Sequence, residues 1–205
     1  MNAVIDRPPA TGPTPATAAL ARPAGEKGYR GFHQALNGRC ELALAEHLDT
    51  PAGGPAWERA ADALALAGRI VATHGMPARH AATRQQLAAF LGVYDRFFRL
   101  PAGWELDAVA PLEAPLTWRS AAGAVLVDVV RTAPPSHPLA DADSFARISQ
   151  ATAWAERCGL RLAGVRLLAL SAPATSLLHD PVGGLVPLAG TRYAGALVTP
   201  AGVAA

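Results

Sequence analysis

The chain has 205 residues, 51% of them hydrophobic, 17% charged and 6% aromatic, with a formal net charge of +2. That length makes one compact domain with a self-sufficient core the default. The apolar excess is mostly alanine and no run reaches the ~18–20 apolar residues of a spanning helix, which argues against a membrane protein. The small net charge does not mark a nucleic-acid binder.

Of the 18 basic residues only Lys27 is a lysine. Chemistry that needs a lysine in a folded site is thereby nearly excluded, including the phosphate-reaching lysine of the P-loop and Schiff-base catalysis. An Ala/Arg/Gly/Pro-rich, Lys-poor chain fits a GC-rich genome. Cys40 and Cys158 lie far apart without a CxxC spacing, and both are expected to be buried free thiols. Nothing at the N-terminus resembles a signal peptide, so a reducing cytoplasm is the expected compartment.

Residues 1–27 hold five prolines among Ala and Thr. Dense proline removes backbone donors, and this stretch is expected to be a disordered or extended arm. A helical portion, 28–101, follows. In the first helix, about 30–48, Phe32, Leu36, Cys40, Ala43 and His47 recur at three- and four-residue steps. The second, about 56–74, places Trp57, Ala61, Leu64, Gly68 and Val71 on one stripe. The third, about 77–99, opens at Pro77 and carries Leu87, Phe90, Leu91, Tyr94, Phe97 and Phe98.

The period then changes, and 102–205 reads as an α/β core with a loose end. From Trp104 to Trp118 the pattern is strand-like, cut into an edge or two short pieces by Pro111 and Pro115. Residues 124–132 form the best strand, β-branched and nearly continuous, hence buried on both faces and central in the sheet. Pro134, Pro135 and Pro138 read as a loop. A helix over about 143–158 turns Phe145, Ile148, Thr152 and Ala155 inward, and a strand over 160–170 follows. One or two edge strands are expected after Pro173. Helices 143–158 and 77–99 are expected to flank the sheet.

Asp128 stands out because a carboxylate amid Val-Leu-Val and Val-Val is costly to bury unless paired, coordinated or at an exposed position. A metal or catalytic role is one reading; a partner for Arg131 or Arg119, or a solvent-facing position, is the other. None of the six histidines falls in an HExxH or His-x-His pattern, and no Gly-x-Ser-x-Gly elbow occurs. Arg79, Arg84, Arg96 and Arg99 outweigh Asp95 on the third helix. The segment 103–145 is acidic in balance.

The order helix, strands, helix, strand, with an acid in the middle strand, resembles the PD-(D/E)XK nuclease superfamily and its RecB-like branch. The matching pieces are Leu126-Val127-Asp128-Val129-Val130-Arg131-Thr132, Gln150-Ala151-Thr152-Ala153-Trp154 and Val165-Arg166-Leu167-Leu168-Ala169-Leu170, within 104–171. The resemblance implies an α+β fold: a restriction-endonuclease-like mixed sheet flanked by helices, after a helical N-terminal portion. It implies Asp128 and Glu113 as metal ligands for Mg²⁺ or Mn²⁺, with Arg131 as the catalytic cation. It also implies nucleic-acid contacts from Gln150 and Trp154, joined by the Arg79, Arg84, Arg96 and Arg99 face. The family's lysine, two residues after the acid, is replaced by Val130. Arg131 should point to the opposite face from Val130 unless a β-bulge intervenes, and an arginine stays protonated where a lysine can give up its proton. The expectation is therefore a degenerate nuclease-fold module without a cofactor, acting in a nucleic-acid-associated or protein-binding role. The alternatives are an active metal-dependent nuclease and an unrelated α+β interaction or assembly protein.

Overall fold

The computed structural model describes residues 29–49, 56–74, 80–107, 114, 116–133 and 138–196. The Pro-rich arm over 1–27, Arg79 and Glu113 lie outside the described residues. Three helices come first, α1 (Tyr29–Asp49), α2 (Ala56–His74) and α3 (His80–Phe97). Then follow β1 (Trp104–Leu106), β2 (Leu116–Ser120), β3 (Ala124–Arg131), α4 (Pro138–Arg157), β4 (Arg161–Ala169), β5 (Leu177–Asp180) and β6 (Gly184–Pro187).

The strands form one mixed sheet in the order β1-β2-β3-β4-β5-β6. All neighbours are antiparallel except β3 and β4, which run parallel and are joined through α4. A parallel pair needs such a crossover, because a tight turn cannot bring the chain back to start a second strand in the same direction. The expected central position of 124–132 and the α+β class with a helix-flanked mixed sheet are what the structure shows.

Side-chain alternation along β3 divides the core. Leu126 and Val130 join Leu36, Leu44, Leu87, Leu91, Tyr94 and Phe98 in a cluster between the sheet and the helical layer. Val125, Val127 and Val129 pack with Ile148, Ala151 and Trp154 of α4 on the other face. The α3 stripe lies as its periodicity requires, with Leu87, Phe90, Leu91, Tyr94 and Phe98 buried.

Three packing expectations are corrected. The buried stripe of α2 is Ala63, Leu66, Ala67, Ile70 and Val71, while Ala61 and Leu64 are exposed. Alanine is too small to fix which side of a helix faces inward, and the aliphatic run of Leu66, Ile70 and Val71 prevails. In α4, Phe145 is 46% exposed and Ser144 is buried in its stead; the helix also begins at Pro138, a first-turn position that tolerates proline. Cys158 follows the end of that helix and is exposed, whereas Cys40 is buried.

Candidate functional site

Asp128 sits in the middle of β3 with its side chain on the face toward α1–α3. Directly beside it on β4, in register, is Arg166. Both side chains are fully buried. The Arg166 guanidinium meets the carboxylate with both prongs: Nε donates to Oδ1 and Nη2 to Oδ2, each at 2.6 Å. The Tyr94 hydroxyl donates to Oδ2 at 2.6 Å and the Trp118 indole N–H at 2.9 Å. This is the bidentate geometry in which a guanidinium binds a carboxylate most strongly.

Arg166 has further duties. Its Nη1 donates to the carbonyls of Phe98 and Tyr193, each at 2.9 Å. The Phe98 carbonyl is one of those left without an intrahelical partner at the end of α3, where positive charge also suits the helix dipole. Burial alone would pull the Arg166 pKa down, but the Asp128 charge and then Tyr94 more than offset it and leave it raised. Burial, reinforced by the Asp128 charge, pushes the Tyr94 hydroxyl well above its ordinary range. The tyrosine therefore stays a neutral donor.

This arrangement does not fit a metal. A divalent cation needs carboxylate lone pairs, and here both oxygens are filled by donors, with a guanidinium where the ion would stand. Among the described residues no group of three His, Cys, Asp or Glu side chains is placed to hold a metal; Glu113 is not among them.

The other expected site residues are scattered. Arg131 is buried at the end of β3. The β3–β4 register runs unbroken from Asp128 to Arg131; its one irregularity falls between Val125 and Leu126. No bulge realigns the two, so Arg131 takes the sheet face opposite to Asp128. Arg119 is no partner for Asp128 either, since its Nε donates to Asp107 at 2.7 Å. Trp154 is 8% exposed and packs in the core between α4 and the sheet. Gln150, Arg84, Arg96 and Arg99 are exposed, and Arg99 is paired with Asp95 at 2.8 Å.

A second polar cluster lies where β3 outruns β2. The last β2 partner is Leu116, opposite Asp128, so the edge of β3 beyond it needs other partners. The Val130 N–H donates to Glu41 Oε1 at 3.0 Å, and Arg147 Nη1 donates to the Val130 carbonyl at 2.9 Å. Arg147 and Glu41 are themselves an ion pair. One residue pair further on, the Thr132 N–H and hydroxyl both donate to Asn37 Oδ1, and His33 Nδ1 lies 3.0 Å from the Thr132 hydroxyl. His33, Asn37 and Glu41 are spaced four apart and line one stripe of α1. That i, i+4, i+8 polar stripe is visible in the sequence, and so is the lone arginine inside the apolar run of 165–170, although nothing in the sequence says which acid it meets.

Comparison with family models, with curated proteins and with solved structures finds no match to this chain. Among the described residues no helix is long and apolar enough to cross a membrane.

Proposed function

We propose that this chain is a non-hydrolytic binding module whose α/β core has a nuclease-like, restriction-endonuclease-type layout. The observation that carries this reading is the closure of Asp128. The acid that the nuclease resemblance would assign to a metal has both oxygens occupied by Arg166, Tyr94 and Trp118, with no exposure to a substrate. The order of three antiparallel strands, a helix and a parallel strand supports the layout. The ligand is nucleic acid held weakly by the exposed Arg84, Arg96 and Arg99 of the α3 region, since guanidinium groups neutralise phosphates without any active site.

A second reading, an assembly protein of unrelated α+β fold, is favoured by one observation: Asp128 faces a guanidinium, and two cavities among the described residues, of about 610 and 690 Å³, open away from it. One experiment separates the readings. Plasmid and single-stranded DNA are incubated with the protein and Mg²⁺ or Mn²⁺, and binding is followed by anisotropy at rising salt. The expected result is no cleavage, with binding that weakens steeply with salt and with Arg84→Gln plus Arg96→Gln. Metal-dependent cleavage overturns the proposal, and absence of any binding favours the assembly protein.

A further inference from the structure

We propose a ligand site for a planar aromatic ring bearing one anionic group, in the cavity at the end of the sheet where β3 and β4 begin. This site uses none of the α3 arginines and neither Asp128 nor Arg166, although Tyr193, whose carbonyl accepts from Arg166, borders it. The cavity measures about 690 Å³, and Trp104, Arg161, Leu162, Asp180, Val182, Arg192 and Tyr193 are among the residues that line it. That volume lies within the ~300–1,000 Å³ typical of small-molecule pockets.

Local backbone irregularity shapes the wall. The β3–β4 register shifts so that Ala163 is left over between Leu162, opposite Val125, and Gly164, opposite Leu126. Such a bulge redirects side chains and is common beside binding sites. Leu162 and Ala163 are both half-buried and both border the cavity, Leu162 packing toward the α4-side cluster and the extra residue Ala163 toward the helical layer. Gly164 lets β5 close in: a Cβ there would stand 2.9 Å from Leu178 Cδ1 and 3.1 Å from the His179 carbonyl oxygen. That approach sets the β5–β6 turn, with Asp180 and Val182, over the opening.

Recognition groups are already in place. Arg161 is tied by Nη2 to the Ala122 carbonyl at 3.0 Å, and the Arg192 guanidinium lies 4.7 Å over the Tyr193 ring. Two arginines held before a ligand arrives lose less freedom on binding. Asp180 is the one carboxylate among the lining residues, and its Oδ1 already accepts from the Val182 and Gly183 N–H groups. Two cations against one carboxylate leave a positive balance that suits one anionic group, a carboxylate or a phosphate, and excludes a bare metal ion. The half-buried Trp104 ring, set edge-on to Tyr193 at 5.9 Å, offers an aromatic surface. Val182 is 97% exposed on the turn, an apolar group a flat ring would cover.

The test is calorimetric titration of the full chain with 5′-AMP, 2-naphthoate, adenosine and inorganic phosphate, with the Trp104 indole signal followed by NMR. AMP or naphthoate is expected to saturate the protein and shift that signal. Adenosine and phosphate, each lacking one half of the chemistry, are expected to bind at least about tenfold more weakly. Arg161→Gln and Arg192→Gln should each weaken binding by roughly tenfold while the thermal midpoint is retained, because both side chains are exposed. The proposal is overturned if neither ring-bearing anion saturates at millimolar concentration, if phosphate alone binds as well, or if the double Arg→Gln variant keeps the affinity.

Discussion

A carboxylate taken out of water must have its lone pairs filled, and the Asp128 oxygens accept from a guanidinium, a phenol and an indole. A carboxylate at the edge of the helical layer shows what partial burial does instead. Asp95 Oδ2 meets His47 Nε2 at 2.8 Å, and Oδ1 accepts from Arg99 Nε at 2.8 Å. Burial alone would raise its pKa; His47 and then Arg99 more than offset that and hold it below the usual carboxylate range. The folded state therefore binds this proton less readily than the unfolded chain. The stability Asp95 contributes is complete above its unfolded pKa of about 4 and fades as pH falls through the lower folded value. Asp95→Asn should consequently lower the melting temperature at neutral pH, with the gap to the parent narrowing under acid conditions. Melting curves taken between neutral and strongly acid pH check this, and a gap that does not change with pH contradicts it.

At the scale of elements, the ends of strands and helices are closed by groups from elsewhere in the chain. The free edge of β3 is sealed by the α1 stripe, and the end of α3 is covered by the C-terminal segment. Gly195 makes that covering possible: its φ is +61°, and a Cβ would stand 2.6 Å from the Phe97 carbonyl oxygen and 2.8 Å from that of Arg99. Gly195→Ala is expected to cost about 1–3 kcal/mol, read as an earlier midpoint in urea; an unchanged midpoint would refute the clamp. β3, β4 and the α3 stripe were legible in the sequence because long apolar runs and regular three-four spacing leave few alternatives. The α2 face was not, because an alanine-rich helix offers weak contrast. The partner of Asp128 was not legible either. Arg119 and Arg131 are its neighbours in sequence, whereas Arg166 becomes a neighbour only when the crossover through α4, residues 132–160, sets β4 beside β3 in one particular register.

Across the whole molecule, Arg166 is where the layers meet. It joins β3 through Asp128, the end of α3 through the Phe98 carbonyl and the C-terminal segment through the Tyr193 carbonyl. The α4 layer, on the opposite face, takes no part. What the sequence offered as a catalytic acid is thus a tie between sheet, helices and C-terminal segment, and the candidate site was legible only as a conspicuous residue. Its chemistry depended on the pairing.

The measurement that bears most directly on this is a double-mutant cycle on Asp128 and Arg166 by urea unfolding. Asp128→Asn and Arg166→Met are each expected to destabilise by about 3–5 kcal/mol, because each leaves a buried partner uncompensated. The double variant should fall short of the sum by at least ~1 kcal/mol, the mark of a direct interaction. Single variants of near-parent stability, or strictly additive losses, would show that Asp128 is not held for structure and would return it to candidacy as a catalytic group.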